Sequence, residues 1–142
     1  MTKYYEMKES FDASGQKMTG LDRIALERAR QIDLEGFDSD HDDEHVRGEI
    51  ARAAACYAAS AAGRDVFELR EFAKGIHFVD PWPWDEKWDT RPHEGNVLKP
   101  PTRAETIRML EKAGALIAAE LDRILRAEEK RKLTLHERRA AP

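Results

Sequence analysis

A chain of 142 residues is long enough for one ordinary domain and too short for two, so a single core is expected. Its 24 basic and 28 acidic residues leave a net charge of -4, which argues against non-specific nucleic-acid binding. No apolar run approaches the roughly 20 residues that cross a bilayer, and the single cysteine, Cys56, lies in an alanine-rich helical pattern, so a buried thiol in a reducing cytoplasm is expected.

Residues 1–18 lack the apolar core of a secretory signal and read as a flexible polar arm, with a short extended piece at Tyr4-Tyr5. Thr19, answered three residues on by Asp22, makes a capping-box-like start, and Gly36 stands where a left-handed terminator belongs. A helix from Gly20 to Glu35 follows, with Leu21, Ile24, Ala25, Arg28 and Ile32 on one side. Arg28 interrupts that stripe and reads first as a snorkelling or ion-paired side chain, then as a ligand anchor.

A second helix is expected to start within Ser39 to Asp43 and to end by Gly63, carrying Val46, Ile50, Ala53, Ala54, Tyr57 and Ala61. Its alanines and Gly48 give a thin profile that another backbone can approach, which makes this helix central. Residues 64–74, with Val66, Phe67, Leu69, Phe72 and Ala73, fit another helix or a connecting turn. There is no convincing alternating strand pattern, apart from a short extended piece at His77-Phe78-Val79. Between Gly75 and Pro101 lie five prolines and all three tryptophans. The prolines exclude a regular helix, the tryptophans argue against disorder, and the segment is expected to pack as a lid.

Thr102 and Glu105 form a capping box that opens the last long helix, whose apolar stripe is Leu110, Ala113, Gly114, Ile117, Leu121 and Ile124. Gly114 with its flanking alanines offers a groove for a partner helix. Beyond Ala127 the chain is highly charged and expected to fray. The class is mainly α: a compact helical domain over residues 19–128, of two long helices plus shorter ones with a Trp/Pro-rich loop, followed by a charged tail over 129–142. The helices carry more apolar and small-residue surface than one protomer covers, which predicts a homodimer or higher homo-oligomer.

Two constellations could carry chemistry. On one continuous helix Asp42, His45 and Glu49 share a face, and such oxygen and nitrogen ligands suit magnesium or manganese. The competing reading is a solvated, self-capping helix start. The second constellation is Trp82, Trp84 and Trp88, flat faces for a base, with Arg70, Lys99 and Arg103 among the flanking cations that could meet phosphate. The competing reading there is a tryptophan plug on the end of the helical layer, stiffened by Pro81 and Pro83. Nothing supports nucleophilic catalysis: Cys56 has no placed base, and there is no glycine elbow or glycine-rich phosphate loop.

The segments ERARQIDLEGFDSDHDDEHVRGEIARAAACYA, DPWPWDEKW and EKAGALIAAELDRI together resemble a family of small uncharacterised phage and prophage proteins. The resemblance covers about half of the chain and implies a setting in the host cytoplasm, without a settled activity. The chain departs from that pattern in a longer segment around Arg64 to Val79 and in the stretch from Arg91 to Pro100. A looser similarity is to MazG-type all-α NTP pyrophosphohydrolases, whose paired acidic motifs hold magnesium. Asp42-x-x-His45 with Glu49 would be a distorted first motif, and the second has no close match. The leading expectation is a phage-encoded protein that binds a small nucleotide and sequesters a host immune signal. The alternatives are a magnesium- or manganese-dependent nucleotide pyrophosphohydrolase and an adaptor acting on a host protein.

Overall fold

The computed structural model describes residues 2–95 and 97–142. Five α-helices dominate it: α1 (Lys3–Ser14), α2 (Gly20–Glu35), α3 (Ser39–Asp43), α4 (Glu49–Ala61) and α5 (Arg103–Ala140). Between α4 and α5 lie two antiparallel hairpins, β1 (Glu68–Phe72) with β2 (Gly75–Val79) and β3 (His93–Glu94) with β4 (Val97–Leu98). The Trp/Pro segment runs between the hairpins and holds a single 3-10 turn, Glu86–Trp88.

The two capping boxes form as their spacing requires. The Thr19 hydroxyl accepts from the Asp22 backbone N–H at 3.2 Å while the Asp22 carboxylate accepts from the Thr19 N–H at 2.8 Å. Thr102 and Glu105 repeat the exchange at the head of α5. These bonds satisfy donors that a helix start leaves open, and they depend on no distant residue. Gly36, at φ 73°, closes α2 in the left-handed conformation, where the Phe37 N–H reaches back to the Gln31 carbonyl.

The expected single helix from Ser39–Asp43 to Gly63 is two helices. Asp38 caps α3 through the His41 N–H, the helix stops after Asp43, and α4 begins only after Gly48, which sits at φ 81°. Asp42 turns inward to Arg28, and the chain between the helices carries His45 against Trp84. The segment expected as helix or turn over 64–74 contains β1, and the extended piece at His77-Phe78-Val79 lies in β2. Tyr4 and Tyr5 are helical rather than extended, within α1, and the Tyr4 N–H donates to Asp33 on α2 at 2.8 Å. The charged end of α5 continues as an exposed helix to Ala140.

The core is the seam between α4 and α5. Ile50, Ala53, Ala54 and Tyr57 meet Met109, Ala113, Leu116 and Ala119, with Trp82 and Trp84 packed against the cluster. Alanine on both sides removes side-chain bulk and lets the helix axes approach closely. Cys56 is buried beside this seam, and desolvation pushes its thiol up to about 11, so it behaves as a small hydrophobe. Gly114 does receive a partner helix: a Cβ there would lie 2.5 Å from Ile24 Cδ1 of α2.

The expected apolar stripes are displaced from the buried faces. On α5 the buried set is Met109, Ala113, Ala115, Leu116, Ala119 and Glu120, while Leu110, Ile117, Leu121 and Ile124 stay exposed. On α2 the buried residues are Glu27, Ala29 and Gln31, and Leu21 is 80% exposed. A helix that turns acid and amide inward and leucine outward departs from the usual amphipathic rule. What it faces explains the inversion.

Candidate functional site

The inward face of α2 closes one side of a cavity of about 550 Å³. Glu27, Gln31 and Glu35, four residues apart on α2, line it together with Arg28 and Arg30. The Trp/Pro segment, α3, the loop residues Phe37 and His45, and Ile50, Tyr57, Lys112 and Leu116 of α4 and α5 supply the rest.

The opposing wall is aromatic. Phe37 stacks on His41 with ring centroids 4.6 Å apart, His41 meets His45 at 4.9 Å, and His45 meets Trp84 at 5.3 Å. Trp84 then meets Trp82 at 5.6 Å, and Trp82 meets Tyr57 at 5.5 Å, both edge to face. All six rings line the cavity, and Trp88 lies at its mouth, more than half exposed. Trp82 and Trp84 therefore plug the helical layer and form a cavity wall with the same side chains.

The Trp/Pro segment is held by a buried cation. The Arg91 guanidinium, 1% exposed, bonds Asp89 at 2.7 Å and Asp80 at 2.9 Å, and lies 5.5 Å from the Trp82 ring centroid. Its two carboxylate partners hold it protonated well above the usual guanidinium range, against the opposing effect of burial. This clamp ties residue 80 to residue 89, so the intervening tryptophans have a fixed frame.

Most charged groups inside the cavity are already paired. Arg28 donates to Asp42 at 2.6 Å and to the Phe37 carbonyl at 3.0 Å. Arg30 bonds Glu27 at 2.8 Å and Glu35 at 2.9 Å, and Glu27 also receives Arg108 at 2.5 Å. Burial alone would raise the Glu27 carboxyl, but hydrogen bonds from Arg30 and Arg108 outweigh it and hold it below the usual carboxylate range. Lys112 differs. Its ammonium donates to the Thr90 hydroxyl at 2.6 Å and has no carboxylate in ion-pairing reach among the described residues. Burial pushes it below the usual lysine range, and the neighbouring Arg108 adds to the effect.

Three polar atoms at this cavity are buried without a partner: Arg28 Nε, Gln31 Oε1 and Trp84 Nε1. Gln31 as a whole is 3% exposed. Two donors and one acceptor left open around one space leave hydrogen-bonding capacity that a polar guest could use.

The residues singled out in the sequence divide unevenly. Trp82, Trp84 and Trp88 all line the cavity, whereas Arg70, Lys99 and Arg103 do not. Arg70 pairs with Glu68 on the exposed hairpin, and Lys99 and Arg103 are exposed near the start of α5. Asp42, His45 and Glu49 do not share a helix face, because the chain breaks between α3 and α4. Asp42 is engaged by Arg28 and by His41 Nδ1 at 3.0 Å, and Glu49 accepts from the Arg47 N–H at 2.7 Å. Among the described residues no three His, Cys, Asp or Glu side chains are placed to hold one metal ion.

Sequence reasoning missed Gln31, Glu27, Arg30 and Lys112 as cavity residues. A signal for the first existed: Glu27, Gln31 and Glu35 lie four apart on α2 and form a polar row flanking the aliphatic positions. Lys112 carried none, since a lysine within a helix is ordinarily solvated. No protein-family model matches this chain, and comparison with curated proteins and with solved structures finds no match either.

Proposed function

We propose that this protein binds a small nucleotide in the ring-lined cavity and holds it intact, as a sink for a host nucleotide signal in the phage setting that its sequence resembles. The observation that carries this reading is one cavity combining an aromatic wall, an unpaired half-buried ammonium and three orphaned polar atoms. Rings offer stacking to a base, open donors and acceptors suit its edge, and a cation suits phosphate. A cationic guest, the other common occupant of aromatic cages, would meet Lys112 at close range and be repelled.

Trp84→Ala is expected to weaken binding of the cognate nucleotide by about 1–3 kcal/mol, the usual worth of one base–aromatic stack, while the far-ultraviolet circular dichroism keeps its helical form. Isothermal titration of both proteins reads the difference. Equal affinity would remove Trp84, and with it the ring wall, from the site.

A homodimer is the assembly we propose. Its support is the row Ile107, Leu110, Ile117, Leu121 and Ile124 on α5, all exposed and spaced by three, seven, four and three, with Leu21 exposed on neighbouring α2. Sedimentation velocity at micromolar concentration should give about twice the chain mass of 16.3 kDa. A single species of chain mass would end this proposal.

An adaptor that grips a host protein is the second reading. It is favoured by β1 and β2, where cross-strand partners Leu69 and Phe78 are 65% and 75% exposed beside an equally exposed Ile76. A nucleotide panel that leaves the melting temperature unchanged would move the assignment to this reading.

A further inference from the structure

Resting on the nucleotide-binding reading, we infer that the guest carries one or two negative charges, as a cyclic phosphodiester or a phosphate monoester does, seated on Lys112 opposite the rings, and that a triphosphate is disfavoured.

Acids and bases lining the cavity are equal in number, four of each. Arg28 is neutralised by Asp42, and Arg30 by Glu27 and Glu35, so neither guanidinium brings unspent charge. Lys87 is exposed at the mouth, its ammonium 5.3 Å from the Trp88 ring centroid. Lys112 alone is half-buried and without an ion-pair partner among the described residues, with one of its three N–H groups spent on Thr90, and the Glu27 and Glu35 carboxylates that act on it at longer range are already held by Arg30. An isolated ammonium in a half-dry site is costly, and an anion placed against it recovers that cost.

One such cation neutralises a single negative charge and leaves a monoester dianion with at most one charge for the solvent at the mouth. The three to four charges of a triphosphate would exceed what Lys112 can offset, in a cavity that the Glu27 and Glu35 carboxylates also line and where both arginines are already paired. The remaining open atoms, Arg28 Nε, Gln31 Oε1 and Trp84 Nε1, are the kind that recognise a neutral base or sugar. Tyr57 fixes the anchor, because its hydroxyl lies 2.8 Å from the same Thr90 oxygen that receives Lys112. The anion seat is thereby linked to the ring wall through one hydroxyl.

The test is a charge ladder by isothermal titration on the full chain. For the adenine, guanine, cytosine and uracil series it takes the nucleoside, the 3′,5′-cyclic monophosphate, the 5′-monophosphate and the 5′-triphosphate, each without divalent metal. For the preferred base, the cyclic or 5′-monophosphate should bind about tenfold or more tighter than both the nucleoside and the triphosphate. Lys112→Gln should erase the advantage over the nucleoside and leave nucleoside affinity within about twofold, whereas Lys112→Arg should keep the advantage.

A triphosphate that binds as tightly as the monophosphate would overturn the charge inference and leave nucleotide binding standing. If no rung of any series binds, the nucleotide reading falls and this inference with it. Should Lys112→Gln lose its helical circular dichroism, the unmodified protein's ladder and the Lys112→Arg protein still decide the matter.

Discussion

Arg91→Met should cost about 3–5 kcal/mol of stability, the usual penalty for breaking a buried ion pair by removing one partner. Methionine keeps the stem's volume and removes only the guanidinium. The Asp89 side chain, 8% exposed, would then be buried beside an apolar group, with only the His93 imidazole, 3.7 Å away, left near it among the described residues. Asp80 is more exposed and can turn to water, so most of the cost falls on Asp89. Equilibrium urea denaturation reads the loss directly, and a change below about 1 kcal/mol would show that water already reaches the clamp. The second consequence is functional. With residues 80 and 89 no longer tied, Trp82 loses its cation neighbour and Trp84 its fixed frame, so any guest of the cavity should bind more weakly at temperatures where the helices remain folded. A variant in which Asp89 is also changed to Asn should regain part of the stability, because the stranded charge is gone.

Asp42→Ala is the other large expected effect, about 3 kcal/mol of destabilisation. Asp42 is buried, and its two oxygens are divided between Arg28 and His41. Removing it leaves the Arg28 guanidinium, whose Nε already lacks a partner, without the one carboxylate that pairs with it among the described residues. It also frees α3, a helix too short to persist without tertiary contacts. Thermal denaturation should show the drop equally with and without a chelator of divalent cations. A different pattern would assign Asp42 another role: if the unmodified protein melts lower in chelator while Asp42→Ala does not respond to it, the carboxylate serves a metal.

Helix ends were legible in the chain because the interactions that set them are local. Thr19 with Asp22, Thr102 with Glu105, and Gly36 at a left-handed φ each act within a few residues, and each lies where its spacing placed it. Mainly helical class followed from the same periodicity. The three tryptophans were legible as a set because prolines exclude a helix there and large rings demand burial or a ligand.

Which face each helix buries was decided by its neighbours. Periodicity marked Leu21 and Ile32 on α2 as inward, yet Glu27 and Gln31 are the buried residues, because that face meets a polar cavity and finds Arg30 and Arg108 there. On α5 the alanine face at Ala113 and Ala119 is chosen over Leu110 and Ile117, since close approach of α4 buries more contact than longer side chains would permit. The metal-like spacing of Asp42, His45 and Glu49 presumed one helix, and the non-helical residues 44–48, ending in Gly48 at φ 81°, divide it. Lys112 became a candidate anchor only when Thr90, from 22 residues earlier, was brought against it. Local hydrogen bonds fix where a helix starts and stops; burial, pairing and the meaning of a charge depend on groups distant in the chain, and these only the tertiary structure decides.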